Sequence, residues 1–234
     1  MDATSIGLLG VAGVAVVHTA AGPDHWLPFI MLARARGWSR ARTFAVTAAC
    51  GIGHVASSLL LGVGGLALGY EIAHLAGIEE IRGDLAAWAL LAFGLAYTVW
   101  GVRRGLRRRH AIEVHAHGDH VHVHRHAIHL HAHRHDHGWK QQQTTFWSLF
   151  LVFVLGPCEP LIPLFMVPLG EGRLAAAWTM AALFSVVTIA TMLVLVGVAL
   201  AGMQRLPVRG LERWSHALAG AVVASCGVAM LFGL

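Results

Sequence analysis

The stretch "GPDHWLPFIM" at residues 22–31 has a counterpart in "GPCEPLIPLFM" at residues 156–166. Gly22 aligns with Gly156, Pro23 with Pro157, Asp24 with Cys158, His25 with Glu159 and Leu27 with Leu161, and each copy adds a further proline, Pro28 or Pro163. Each copy sits inside an apolar run that is otherwise suited to hydrocarbon. There a proline removes a backbone donor and crowds the preceding turn, so both runs are predicted to be broken helices. Freed carbonyls are tolerated at membrane depth only where they line a cavity or find partners. A charge at the bilayer centre costs at least about 2.5 kcal/mol, so Asp24 and Glu159 must be paired, neutralised or bound to a cation.

The rest of the chain fits that setting. Of 234 residues, 56% are hydrophobic and 12% charged, with a mean hydropathy of +0.63, far from the balance of a soluble domain. Six runs, at about 5–33, 43–69, 85–102, 146–169, 174–202 and 214–233, approach or exceed the roughly 20 residues that span a bilayer as helix. The expected fold is all-α: a polytopic membrane protein of six transmembrane helices. Residues 1–102 form one three-helix repeat, 103–145 a connecting loop and 146–234 a second repeat. Because three spans separate the two copies, the halves run in opposite directions. Gly/Pro-broken helices 1 and 4 at corresponding places of inverted halves point to a secondary transporter with a midplane site.

Fifteen of the 17 Lys and Arg fall after the first, third and fifth spans: Arg34, Arg36, Arg40 and Arg42, then a cluster from Arg103 to Lys140, then Arg205, Arg209 and Arg213. Only Arg82 and Arg173 lie on the other side. Such loops stay in the cytoplasm, which puts both termini outside. Met1–Ser5 lacks the basic start of a signal peptide, so the first helix is expected to be retained. The basic balance implies contact with anionic lipid heads, and no nucleic-acid partner. Cys50, Cys158 and Cys226 all fall within spans and suggest no disulfide framework.

His18 and His25 are two helical turns apart, about 10 Å in a continuous helix, and a break between them brings them closer. His54, in "GIGHVASS", lies mid-way along the second span among small residues that permit close packing. Imidazole with carboxylate suits Ni²⁺, Co²⁺, Zn²⁺ or Cu²⁺ better than Mg²⁺ or Ca²⁺, and a thiol adds a softer donor. The candidate metal ligands are therefore His18, Asp24, His25, His54, Cys158 and Glu159. Thr188 and Thr191 share a face of the fifth span and are candidates for the pathway lining, although a threonine bonding back to its own helix is the commoner case.

Between His110 and His137 runs "HAIEVHAHGDHVHVHRHAIHLHAHRHDH". Its twelve histidines are His110, His115, His117, His120, His122, His124, His126, His129, His131, His133, His135 and His137. Most sit at every second position, so an extended chain offers chelating sets on alternate faces. The lack of apolar mass predicts a solvated, disordered cytoplasmic metal-binding loop. His74, Glu71, Glu79, Glu80 and Asp84 read as solvated outer surface, with an electronegative vestibule as the alternative. His216 opens the last span near the cytoplasmic interface.

These residues resemble the nickel/cobalt transporter superfamily of the NicO and NiCoT type, including its UreH-like and RcnA-like membrane proteins. That family has a first-helix signature, typically HAxDADH; here it reads His18-Thr-Ala-Ala-Gly-Pro-Asp24-His25. Gly53-His54, the Trp-Gly-x-Arg-Arg ending of the third span, the His-rich loop and "GPCEPLIP" also correspond. The chain departs in three ways: the spacing from His18 to Asp24 is one residue longer, the first acidic position is missing, and Glu159 stands where the efflux type has an apolar or small residue. The resemblance implies a bacterial cytoplasmic-membrane transporter with Ni²⁺, Co²⁺ or Zn²⁺ as substrate and no permanent cofactor. Implied partners are a cytoplasmic metal chaperone or a urease or hydrogenase maturation factor, and a homo-oligomer.

Three other readings stand beside it. An exporter of a sulfur-containing or organic anion, of TauE/SafE or LysE type, would want fixed cations within the spans. An intramembrane metalloenzyme would want a motif such as H-E-x-x-H, which is absent, and the chain is not expected to be an enzyme. A metal store or sensor would depend on the His-rich loop. No G-x-x-x-x-G-K-[ST] phosphate loop occurs, which argues against ATP hydrolysis.

Overall fold

The computed structural model describes residues 3–107, 114–117, 120–123, 137–203 and 212–233. In chain order the elements are α1 (Ala3–Ala21), a 3-10 turn (Pro23–His25), α2 (Leu27–Arg36), α3 (Arg40–Ala67), α4 (Ile72–Arg107), the short strands β1 (Val114–His117) and β2 (His120–Val123), α5 (His137–Leu155), α6 (Leu161–Gly170), α7 (Leu174–Met203), a 3-10 turn (Glu212–Trp214) and α8 (Ser215–Leu231). The fold is thus helical but for one hairpin among the described residues. Helices α3, α4 and α7, of 28, 36 and 30 residues, are long and apolar enough to cross a membrane. Only 22% of the most apolar window of α7 lies inside the fold, and Val186, Val194 and Val198 are exposed along it. A helix so apolar with so little of it buried is built for lipid.

Two long apolar runs are interrupted, each after 19 residues of helix and before 10 more: α1 and α2 on one side, α5 and α6 on the other. Gly22 N–H still donates to the His18 carbonyl at 3.2 Å, but Pro23 has no N–H to continue the ladder and opens a 3-10 turn instead. In the second run Gly156 N–H closes α5 on the Val152 carbonyl at 2.8 Å, and Leu161 N–H restarts the chain on the Cys158 carbonyl at 2.9 Å. The turn from α2 to α3 is made by Gly37, in the left-handed region at φ 63°, followed by Ser39, whose Oγ accepts from Arg42 N–H at 3.2 Å.

Helices α4 and α8 pack most intimately, along a seam of glycines. A Cβ on Gly94 or Gly101 would run into the α8 backbone at Ala224 or Ala217, and one on Gly220 or Gly227 into α4 at Thr98 or Leu91. Numbers rise on one helix as they fall on the other, so the pair is antiparallel, and small residues let the backbones meet. Elsewhere α1 packs on α7, α5 on α3, α3 on α7 and α2 on α8. One apolar cluster gathers Leu75, Leu161, Phe165 and Phe184, a second Phe29, Tyr97, Phe153 and Met192. All three cysteines are free and buried.

Helix α4 begins at Ile72, well upstream of the apolar run expected at 85–102. Leu75, Glu79 and Ala86 are all buried along its first turns, so this segment is a helix with an inward stripe rather than an outer loop. Arg103, Arg104 and Arg107 likewise lie on its last turns, and α5 begins at His137, taking Lys140 into the helix. In the His-rich segment the hairpin register pairs His115 with His122 and His117 with His120. His110, His124, His126, His129, His131, His133, His135, Arg205 and Arg209 lie outside the described residues.

Candidate metal centre

The first break turns a two-turn spacing into contact. His18 ends α1, His25 ends the 3-10 turn, and their ring centroids lie 4.8 Å apart. His54 of α3 brings its ring to 5.0 Å from His25 and 6.4 Å from His18. Gly22 is what lets the turn close: a Cβ there would stand 2.6 Å from His25 Nδ1 and 2.8 Å from Asp24 Oδ1. Gly53 does the same for α3, since a Cβ would meet Phe150 and Val154 of α5 at 2.9 and 3.0 Å.

The donor atoms are arranged for a ligand. His54 Nδ1 lies 3.3 Å from the Phe153 carbonyl oxygen. A carbonyl only accepts, so the proton belongs on Nδ1 and the Nε2 lone pair is left free. His25 Nδ1 lies 3.2 Å from Asp24 Oδ2, the carboxylate–histidine pairing that typically orients a metal-bound ring. The Nε2 atoms of His18, His25 and His54 are buried without a hydrogen-bond partner, and buried polar groups left so are uncommon. One ligand atom from each ring lies within 4.8 Å of the others. Around an ion with bonds of about 2.1 Å, donors lie no more than about 4.2 Å apart, so the rings would have to draw closer to share one ion.

The remaining candidates fall elsewhere. Asp24 Oδ2 lies at ion-pair distance from His25 Nδ1, 3.2 Å, without hydrogen-bond alignment. Cys158 is fully buried, but in the apolar cluster with Leu161 and Phe165, and its N–H donates to Ser58 Oγ at 3.2 Å. Glu159 is exposed and lines the same cavity as the histidines. Thr191 Oγ1 bonds back to the Val187 carbonyl at 2.8 Å. Thr188 is fully buried with an unpartnered hydroxyl, one turn from Phe184, whose ring is 6.1 Å from that of His18. His216 Nδ1 lies 2.8 Å from the Tyr97 hydroxyl, to which Arg36 Nε donates at 3.2 Å. His74 is exposed beside the ring of Tyr70.

Both breaks border one cavity of about 610 Å³. Gly22, Asp24, His18, His25 and His54 line it together with Gly156, Pro157 and Glu159 of the second break and the exposed Glu80 and Asp84 of α4. Among the described residues, no Lys or Arg lines it.

Glu79 corrects the expectation of solvated surface. It is 1% exposed and ion-paired with Arg82 at 2.5 Å. Arg82 also donates to Ser57 Oγ and the Val154 carbonyl, both at 2.7 Å. It thereby satisfies a carbonyl freed at the end of α5, next to the Phe153 carbonyl that holds His54. The sequence signal was the i, i+3 spacing of opposite charges on a helix that also carries Leu75 and Ala86 inward. Comparison with family models, curated proteins and solved structures finds no match to this chain.

Proposed function

We propose that the protein is a secondary transporter carrying a divalent transition-metal cation, Ni²⁺ or Co²⁺, across the membrane as substrate, in the manner of the nickel/cobalt superfamily that its motifs resemble. The observation that carries this reading is the trio of buried, unpartnered imidazole Nε2 atoms at a helix break, on the wall of a cavity lined by carboxylates. Three imidazoles favour a borderline first-row metal over Mg²⁺ or Ca²⁺. The absence of Lys and Arg from that lining among the described residues counts against an anion exporter, which would need a fixed positive charge for its substrate.

In this reading the six apolar runs are six spans in two inverted halves. The packing supports it: each half's broken helix leans on the other half's second helix, α1 on α7 and α5 on α3, while the third helices, α4 and α8, pair antiparallel. The histidines strip and hold the ion, Asp24 orients His25, and the Phe153 carbonyl orients His54. Protons compete with the metal for the same lone pairs, which supplies a route to release as the halves rock about the site.

The test is flux. Full-length protein in liposomes containing a metal-sensitive dye is compared with His25→Ala and Asp24→Asn. Loss of Ni²⁺ and Co²⁺ flux in His25→Ala, with a partial loss in Asp24→Asn, is expected. Equal flux in all three removes the site.

A further inference from the structure

Glu80 and Asp84 lie one turn apart on α4, and like charges at that spacing weaken a helix. Both are exposed and line the cavity, as do the exposed Glu159 of the second break and the less exposed Asp24. The one cation close by in sequence, Arg82, is turned into the bundle, where Glu79, Ser57 and the Val154 carbonyl hold it. Among the described residues the cavity therefore carries four carboxylates and no lining Lys or Arg. Into the same space look His25 and His54, 5% and 3% exposed, with unpartnered nitrogens. Carboxylates at the mouth and bare imidazoles deeper in form a sequence of two different donor chemistries along one route.

We propose that Glu80, Asp84 and Glu159 form a staging site that holds a divalent cation with its water shell intact before the ion is stripped onto the histidines. The inference rests on the metal-transport reading above. Size permits it: six waters at about 30 Å³ each make roughly 180 Å³, well inside the 610 Å³ available. The chemistry differs between the two stations. Hard carboxylate oxygens attract any hydrated divalent ion through charge and discriminate little, whereas imidazole selects borderline metals once water is shed. The mouth therefore sets how fast ions arrive and the histidines set which ions pass. A same-sign cleft raises local counter-ion concentration and on-rates by roughly 10- to 1,000-fold, an effect that salt removes.

The experiment measures initial Ni²⁺ flux into dye-loaded liposomes against Ni²⁺ concentration, at about 0.02 and 0.5 M choline chloride, where Debye lengths are roughly 20 and 4 Å. In the E80Q/D84N/E159Q variant KM is expected to rise roughly tenfold or more at low salt, with the loss in KM rather than maximal rate, and the difference from wild type should collapse at high salt. E159Q alone replaces one exposed carboxylate by its amide and should move KM the same way by a smaller factor, which keeps the test decisive should the triple variant fail to fold. An unchanged KM at low salt, or a shift that salt leaves intact, overturns the staging site. His25→Ala separates the two readings. Loss of flux there beside an unchanged KM in the carboxylate variants sinks the mouth alone, and full flux there beside a salt-dependent KM shift sinks the histidine site alone.

Discussion

The chemistry of the candidate centre depends on a residue with no side chain. Gly22 leaves room for His25 and Asp24 to fold back beneath the end of α1, and a methyl group there would stand within 2.6 Å of His25 Nδ1. Gly22→Ala should therefore displace His25 from His18 while leaving α1 and α2 intact. Orienting partners of metal-bound histidines typically govern affinity by about 10- to 100-fold, and a loss of Ni²⁺ flux efficiency in that range is expected. Flux in liposomes checks it, alongside circular dichroism to establish unchanged helicity; wild-type flux would show that the turn does not position the ring. His18, Asp24, His25 and His54 were legible in the sequence because polar groups inside hydrocarbon need a reason to be there. Glu159 was less so. Sequence register aligns it with His25, but Pro160 stands where the first break has Trp26, no 3-10 turn forms between α5 and α6, and its side chain lines the cavity without joining the three rings.

At the scale of elements, the breaks were legible and what repairs them was not. Proline and glycine in an apolar run announce that carbonyls will be freed, yet they do not say which donor will satisfy them. That donor is Arg82, reaching from α4 to the Val154 carbonyl at 2.7 Å while paired with the buried Glu79. Hydropathy placed both charges outside the span, because the amphipathic start of α4 carries its charges partly inward and an average over the window hides that. Removing one partner of a buried pair leaves the other uncompensated, at a cost of about 3–5 kcal/mol. Arg82→Ala is accordingly expected to lower the unfolding midpoint in detergent sharply. The E79Q/R82Q double variant, which buries no net charge and keeps hydrogen-bonding amides, should recover part of the loss. Equal midpoints for Arg82→Ala and wild type would show that the pair does not anchor the α5 terminus.

At the scale of the whole molecule, the proposed inverted arrangement makes a demand that helix positions alone do not. Ser39, in the turn after α2, and Glu171, just after α6, hold the same place in the two halves. Parallel repeats would put them on one side of the membrane, and inverted repeats put them on opposite sides. The charge pattern leads to the same expectation, since Arg34, Arg36, Arg40 and Arg42 surround Ser39 whereas Arg173 is the lone cation near Glu171. Impermeant thiol labelling in whole cells reads the difference against a quiet background, because Cys50, Cys158 and Cys226 are buried. Cysteine introduced at Glu171, at Tyr70 in the α3–α4 turn, or at Phe232, 79% exposed beyond α8, should label from outside. Cysteine at the exposed Ser39 should label only after the membrane is permeabilised. Labelling of Ser39 and Glu171 from the same side would rule out inverted halves. It would also remove the proposed reason for both breaks to border a single cavity, whatever the affinity of the three histidines.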